Sequence, residues 1–188
     1  MPAQTKKTDN DFLADKVQLR IDHCPRTKSG PVKVLDCFGG KGVVWRLVEE
    51  KGSIQVDRVC IDSRTDLTGF HLHGDNVKVL AGLDLSRYDV IDLDAYGIPA
   101  LQLAEVLDSG FRGVVFVTAI QTMQGAMPGV MLRDLGFPAT ISKKAPSLAS
   151  RRGWQLIKEW LALKGVRHIT HRSKNRKHYF CFEINGAA

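Results

Sequence analysis

The chain has 188 residues, of which 44% are apolar and 25% charged, a balance typical of one globular domain rather than of a disordered chain. No apolar run approaches the roughly 20 residues that span a bilayer, and the N-terminal segment lacks the apolar core of a secretory signal. We therefore expect a cytoplasmic protein with no membrane partner.

The net charge of +7 is unevenly distributed. Between residues 143 and 177, eleven Lys or Arg residues accompany one acid, so this segment carries +10 and the remainder is slightly acidic. A solvated basic surface is one interpretation, but a concentrated basic face more often indicates a polyanionic partner such as nucleic acid. The residues that we expect to follow a phosphate backbone are Lys143, Lys144, Arg151, Arg152, Arg172, Lys174, Arg176 and Lys177.

The chain begins with a polar tail and a short helix over 11–23, followed by a linker that ends at Gly30. We assign residues 1–30 to this leading segment and residues 31–188 to the folded domain. Strands and helices then alternate, with strands predicted at 32–37, 56–61, 70–73, 88–93 and 113–119 and helices at 43–51, 77–83 and 99–109. Such near-continuous apolar strands are typical of parallel sheets that helices cover on both faces.

Residues 121–150 are rich in Gly, Pro, Met and Ser, and only a turn of helix near 130–135 is expected there. An amphipathic helix over 154–164 is followed by strands at 166–171 and 178–184, joined by a basic turn over 172–177. The pattern predicts a Rossmann-like, doubly wound α/β fold with a mostly parallel sheet and a C-terminal antiparallel hairpin.

Metal ligands are not expected. The four cysteines include no CxxC pair, and Cys37 and Cys60 lie within apolar runs, where a thiol acts as a small apolar side chain. His71 and His73 have no supporting acid cluster, so we interpret them as incidental.

A glycine-rich loop follows the first strand of the predicted sheet, in the run V-L-D-C-F-G-G-K-G that starts at Val34. Glycine is suited to a loop that turns sharply and lies close to a ligand, because it has no Cβ. The order of the glycines fits the dinucleotide fingerprint GxGxxG poorly, and the GK[ST] of a phosphate-binding loop is absent. A purely structural corner is the alternative interpretation.

This loop resembles the first motif of S-adenosylmethionine-dependent methyltransferases, an acid at a strand end followed by a G-x-G turn. The resemblance implies that Phe38, Gly40 and Gly42 contact the cofactor and that Asp36 helps to hold its ammonium group. Asp62 ends the second strand, where a carboxylate can accept from both ribose hydroxyls. Asp75 and Asn76 follow the third strand and resemble the family's contact with adenine.

The fourth strand ends in the run D-L-D-A-Y-G-I-P, which starts at Asp92. Methyltransferases that act on amino groups of nucleobases have an acid or Asn, proline and an aromatic residue there. An acceptor for the N–H groups makes the amine lone pair available, and an aromatic ring stacks on the base. We predict Asp94 as this acceptor, Tyr96 as the stacking residue, and Asp92 as a second acceptor or a support for the loop.

The run is most similar to the D-x-D-P-F-G motif of the tRNA guanine N2-dimethyltransferase family, in which V-T-A follows on the next strand, as in residues 117–119 here. The resemblance covers residues 32–119. Two departures are Ala95 in place of the family's proline and the lack of that family's long C-terminal RNA-binding domain.

The sequence therefore predicts a methyltransferase that uses S-adenosylmethionine and acts on nucleic acid, at an amino nitrogen of a base. Methylation of a protein or small molecule is one alternative, and a non-catalytic nucleic-acid-binding module on a degenerate methyltransferase fold is another. The sequence leaves open RNA or DNA, the base and its target site, and a homodimer or partner subunit for target recognition.

Overall fold

The computed structural model describes residues 12–27, 30–64, 67, 71–120, 135–144 and 148–185. Seven strands form one sheet in the order β3-β2-β1-β4-β5-β7-β6. The five strands on the β3 side are parallel, whereas β7 is antiparallel to both of its neighbours. The strands are β1 Val32–Cys37, β2 Val56–Asp62, β3 His71–His73, β4 Val90–Asp94, β5 Gly113–Ile120, β6 Thr170–Lys174 and β7 Lys177–Ile184.

Helices cover both faces of this sheet. They are α1 Leu13–His23, α2 Val43–Gly52, α3 Asn76–Gly82, α4 Ala100–Asp108, α5 Ala139–Lys144 and α6 Leu148–Leu163, and a 3-10 turn spans Leu85–Arg87. Helix α6 is interrupted at Arg152, whose φ of −125° is not helical. None of these helices is long and apolar enough to cross a membrane.

The core consists of two layers because successive residues of a strand face opposite sides of the sheet. Leu35, Leu93 and Val117 belong to the layer that packs against α3, α4 and α6. Val34 and Phe116 belong to the other layer, together with residues of α1 and α2. The central strands are buried on both faces, which explains their almost continuous apolar sequence.

The predicted fold class is confirmed: the sheet is mostly parallel and Rossmann-like, and its C-terminal strands form an antiparallel hairpin. Strands β1 to β5 lie within about two residues of their predicted bounds where they are described. Helix α5 was not predicted, and α6 begins six residues earlier than expected. The turn of helix expected near 130–135 lies almost wholly outside the described residues.

The basic turn expected over 172–177 is wrong in its length. Arg172 and Lys174 belong to β6 and Lys177 to β7, so that only Asn175 and Arg176 connect the strands. Both have positive φ, 48° and 61°, which is the conformation of a two-residue type I′ hairpin turn. A connection this short leaves the strands paired up to the turn itself.

Helix α1 packs against the sheet with the rest of the domain, although the sequence places it in a leading segment. Val17 and Leu19 are buried with Trp45 of α2 and Phe116 of β5. Arg20 of the same helix is only 1% exposed. The helix is therefore part of the same core as the sheet.

Candidate active site

The loop after β1 makes a tight turn at the carboxyl edge of the sheet. Phe38, Gly40 and Gly42 all have positive φ, at 72°, 52° and 68°, and the N–H of Gly42 donates to the carbonyl of Gly39 over 2.8 Å. Glycine adopts this conformation without the steric cost of a Cβ. The two glycines of the motif are therefore needed for the shape of the loop.

Asp62, at the end of β2, holds this loop in place. Its Oδ2 accepts from the N–H of Gly40 over 3.1 Å, and its Oδ1 accepts from the N–H of Arg64 over 2.9 Å. The Nε of Arg64 also lies 3.4 Å from Oδ1. The carboxylate retains lone pairs for further donors, and its predicted contact with ribose stays a prediction.

Asp36 is buried at the end of β1, where its Oδ2 accepts from Nη1 of Arg58 over 3.2 Å. Burial and the nearby Asp92 carboxylate raise the pKa of Asp36 to about 8, although Arg58 opposes the shift. An ammonium group at this position would lower that pKa, because it favours the charged carboxylate. The predicted contact of Asp36 with the cofactor is therefore sensitive to pH.

Two guanidinium groups lie against the glycine loop. A Cβ at Gly42 would collide with the guanidinium of Arg58, and a Cβ at Gly40 would lie 3.0 Å from Nη2 of Arg64. These arginines occupy the space beside the glycines, where the sequence predicts contacts with the cofactor.

Asp75 and Asn76 follow β3 as predicted, but they differ in their surroundings. Asp75 is the N-cap of α3, and its Oδ1 accepts from the N–H groups of Val77 and Lys78 over 3.0 and 3.1 Å. Asn76 is buried, and its Oδ1 has no hydrogen-bond partner within the described part of the chain. A buried acceptor without a partner is costly, but an oxygen with no exposed surface does not reach a ligand, so the exposed carboxylate of Asp75 is the more accessible acceptor for a ligand amine.

Asp94, at the end of β4, forms an ion pair with a residue that the sequence analysis missed. Nζ of Lys16 lies 2.6 Å from Oδ1 of Asp94, and the two side chains are only 9% and 16% exposed. Burial opposes the ionisation of Asp94, but Lys16 and Arg20 outweigh it and lower the pKa of Asp94. Asp94 is therefore ionised at neutral pH.

The residues after Asp94 form the mouth of the site. Tyr96 exposes 61% of its surface, which suits the predicted stacking role. Ala95 is buried, and its N–H donates to the carbonyl of Leu93 over 2.9 Å. A proline at this position would lack that donor, so the departure from the D-x-D-P-F-G motif coincides with an added backbone hydrogen bond.

Asp92 is fully buried and already has strong partners. Arg20 donates to both carboxylate oxygens, from Nε over 2.7 Å and from Nη2 over 2.6 Å, and Nε1 of Trp45 donates over 2.7 Å. Of the two roles that the sequence left open for Asp92, this geometry fits the support for the loop. A carboxylate with no exposed surface does not reach a substrate.

A cavity of about 150 Å³ joins the glycine loop to the end of β4. Four predicted site residues line it, namely Phe38, Gly40, Asp94 and Tyr96, and three further charged residues, Lys16, Lys41 and Arg64, were not predicted. The other predicted residues, Asp36, Gly42, Asp62, Asp75, Asn76 and Asp92, do not line the cavity. The structure thus brings the loop and the fourth strand together around one space.

The basic hairpin turn lies at the same edge of the sheet as this cavity. Lys177 pairs with Ile120 in the β5–β7 ladder, and Ile120 lines the cavity. Because β7 is antiparallel to β5, β7 begins beside the carboxyl end of β5. The turn between β6 and β7 therefore lies next to that end. Nζ of Lys174 and of Lys177 lie 4.7 and 5.1 Å from the ring centre of Phe12.

The remaining basic residues of the prediction are dispersed. Arg172 pairs with Asp22 over 2.7 Å, and Arg152 lies 4.0 Å from Glu159. Lys144 is exposed at the end of α5. The side chains of Lys143 and Arg151 lie outside the described part of the structure.

Solved structures share this architecture. A SAM-dependent methyltransferase from Archaeoglobus fulgidus is 12% identical, with a TM-score of 0.54 over 91% of this chain and 93% of that chain. Ribosomal protein L11 methylase from Lactobacillus delbrueckii subsp. bulgaricus is 14% identical, with a TM-score of 0.55 over 94% and 80%. The fold is that of S-adenosylmethionine-dependent methyltransferases. No protein-family model and no curated sequence matches the chain.

Within this methyltransferase fold, the likeness is structural only, because identities of 12–14% carry no information about substrate. Phosphoethanolamine N-methyltransferase 2 from Haemonchus contortus, solved with S-adenosyl-L-methionine, has a TM-score of 0.54 at 12% identity and covers 85% of this chain and 38% of that chain. The similar structures thus include enzymes named for a protein and for a small-molecule substrate. There is no support among them for the tRNA guanine N2-dimethyltransferase family in particular.

The residues at the expected cofactor position fit the cofactor in kind. The glycine turn, the carboxylate of Asp62 and the exposed carboxylate of Asp75 are suited to its methionine, ribose and adenine parts. The cavity is small, because a pocket for a ligand of drug size usually encloses about 300–1,000 Å³. The side chain of Arg64, which lines the cavity and is 42% exposed, would have to move for the cofactor to contact Gly40.

Proposed function

We propose that this protein is an S-adenosylmethionine-dependent methyltransferase that modifies an amino nitrogen of a nucleic-acid base. The observation that carries the proposal is the grouping at one edge of the sheet. An ionised, mostly buried carboxylate, Asp94, lies with the exposed ring of Tyr96 in a cavity that the glycine loop also lines. The basic hairpin turn adjoins the same edge.

The cofactor supplies an electrophilic methyl group bonded to a sulfonium. Gly40, Gly42, Asp62 and Asp75 would hold it, with Asn76 beside Asp75, and Asp36 would face its ammonium group. Asp94 would accept an N–H of the base amine and so favour the nitrogen lone pair. When bound, the cofactor would donate its methyl group to this lone pair and keep the electron pair of the carbon–sulfur bond on sulfur. Because the pKa of Asp94 is lowered, we expect the nitrogen to release its proton to solvent.

A nucleic-acid substrate is supported by the charges around the cavity. Lys174, Arg176 and Lys177 lie at or beside the hairpin turn, and Lys41 and Arg64 line the cavity. Phosphate groups on both sides of an acceptor base would meet these cations, whereas a neutral small substrate would leave them unused. Stacking on Tyr96 would hold the base, since such contacts are worth about 1–3 kcal/mol each.

A second candidate is a nucleic-acid-binding module that has lost catalysis. The guanidinium groups of Arg58 and Arg64 against the glycine loop, and Lys16 on Asp94, favour it. In that case the cations occupy the cofactor and acceptor positions permanently. Calorimetric titration with S-adenosylmethionine separates the two candidates, because the module would show no heat of binding.

The test of the proposed function is transfer of tritiated methyl groups to total RNA, genomic DNA and a protein extract, followed by nucleoside analysis. We expect label in an N-methylated base. Label in protein or in small molecules only would refute the nucleic-acid part of the proposal. Cofactor binding without transfer to any of these substrates would count against the acceptor chemistry.

A further inference from the structure

Two carboxylates on β4 meet two cations on α1 in matched register. Lys16 and Arg20 are four residues apart on the helix, about 6 Å along its axis. Asp92 and Asp94 are two residues apart on one face of the strand, about 6.6 Å along it. Lys16 pairs with Asp94 and Arg20 with Asp92, so α1 runs antiparallel to β4 and its N-terminal end lies at the cavity.

We propose that Lys16 is a positioning residue of the active site, which keeps Asp94 ionised and directs its carboxylate toward the acceptor nitrogen. This inference rests on the proposed function. It follows from geometry: Lys16 is the α1 side chain that lines the cavity, and it contacts Oδ1 of Asp94 over 2.6 Å. The second oxygen of the carboxylate can accept an N–H of the substrate.

The neighbouring ion pair between Arg20 and Asp92 fixes the position of Lys16. Arg20 binds Asp92 through two hydrogen bonds, and its Nη1 also donates to the backbone carbonyl of Lys16 over 2.9 Å. Helix α1 therefore cannot slide along β4 without breaking a buried ion pair. Nζ of Lys16 lies 5.8 Å from the ring centre of Tyr179 on β7. The Lys16 side chain therefore packs beside an aromatic ring.

The charges around Asp94 explain why a cation is needed there. Loss of Lys16 would raise the pKa of Asp94 relative to the wild type, because burial opposes the charged carboxylate and Arg20 would be the one cation left of the two that stabilise it. The charged and titratable groups near this carboxylate are Lys16 and Arg20 of α1, Asp92 of β4, Asp36 of β1, Tyr179 of β7, and Lys41 and Arg64 of the cavity. Two of the neighbours are carboxylates, which oppose ionisation of Asp94.

The experiment compares the wild-type protein with Lys16→Met, Lys16→Arg and, as a control, Gln18→Met, which changes an exposed residue of the same helix. Single-turnover methyl transfer is measured from pH 5 to pH 9. For Lys16→Met we expect a rate about 10- to 100-fold lower at pH 7, an acid limb displaced to higher pH, and cofactor affinity within about threefold of wild type. Lys16→Arg should restore the acid limb, and Gln18→Met should match the wild type.

Carbon-13 NMR titration of the aspartate carboxyl groups provides a reading that does not depend on activity. The pKa of Asp94 should lie below its ordinary value in the wild type and rise in Lys16→Met. An unchanged pKa or an unchanged pH profile in Lys16→Met would overturn the role of Lys16. An inactive wild type would refute the proposed function instead, and the titration would then decide the Lys16–Asp94 coupling alone.

Discussion

The proposed contact of the glycine loop with a cofactor depends on single residues. Gly40 has a φ of 52°, and a Cβ there would lie close to the Arg64 guanidinium. Gly110 has a φ of 75° with nothing near its Cβ position. The two positions therefore share the same backbone requirement but differ in what surrounds them.

We expect Gly40→Ala to abolish measurable binding of S-adenosylmethionine, because the added methyl group blocks the approach to the loop. Gly110→Ala is the matched control, since it carries a similar left-handed strain of about 1–2 kcal/mol away from the cavity. Calorimetry on both variants checks the prediction. Equal cofactor affinity in Gly40→Ala and Gly110→Ala would show that the cofactor does not use this loop.

Asp94→Asn keeps the size of the side chain and one acceptor oxygen but removes the charge. Loss of a comparable transition-state contact lowers turnover by about 10²–10³-fold, whereas cofactor affinity should hardly change. Tyr96→Ala should instead weaken substrate binding through lost stacking. Steady-state kinetics of both variants test this division of roles. A wild-type rate in Asp94→Asn would contradict it.

At the scale of elements, the register between α1 and β4 depends on one buried ion pair. Arg20 and Asp92 are each 1% exposed, and removing one partner of such a pair typically costs about 3–5 kcal/mol. Arg20→Met should therefore lower the free energy of unfolding by that amount in urea titrations. Arg46→Met, which breaks the exposed pair with Glu50, should cost less than about 1 kcal/mol.

The turn between β6 and β7 allows folding and binding to be separated. Arg176 has a φ of 61°, so Arg176→Gly should stabilise the turn by about 1 kcal/mol. The same change should weaken nucleic-acid binding and reduce the salt slope by about 0.7 for a single strand or 0.9 for a duplex. Lys164→Gln is the control, because Lys164 pairs with Asp108 at the end of α4 and does not line the cavity. This variant should leave the salt slope unchanged. A flat salt dependence in the wild type would remove nucleic acid as a partner.

The elements also show what the sequence could and could not predict. Apolar runs bounded by Gly and acids located β1 to β5, because buried parallel strands have a distinctive composition. The strand β6 starts at residue 170, four residues later than predicted, because Val166 and Ile169 gave the preceding stretch the apolar positions of a strand. Lys16 and Arg20 were missed because their partners are 78 and 72 residues away, a distance at which residue patterns carry no pairing information. The signal in the sequence that could have indicated this pairing is the equal spacing of two cations on a helix, Lys-x-x-x-Arg, and two acids on a strand, Asp-x-Asp.

At the scale of the whole molecule, two buried groups give opposite dependences of stability on pH. The raised pKa of Asp36, about 8, favours unfolding as pH rises from about 4 to 8. Burial and His171 lower the pKa of His178 to about 4, so its stabilising effect is lost as pH falls below about 6.5. The two effects oppose each other between pH 4 and 6.5, and above this range only the Asp36 effect of the two remains.

We therefore expect the melting temperature to fall between pH 6.5 and pH 8, with a free-energy slope of up to about 1.4 kcal/mol per pH unit. Asp36→Asn should remove most of this slope, because an amide does not titrate. Differential scanning calorimetry at several pH values tests this prediction. A wild-type slope that persists unchanged in Asp36→Asn would assign it to another group.

The pairing of α1 with β4 also sets an order of assembly during folding. Asp92 is buried in the sheet, and a carboxylate removed from water without its cation is strongly unfavourable. Since Arg20 is 72 residues away, that cation arrives only when a long stretch of chain has closed. The last part of β4 can therefore reach its final burial only as the helix docks. A chain in which α1 has not docked would have neither the fixed strand end nor the oriented Asp94, so the proposed reactive edge of the sheet becomes competent only once α1 is in place.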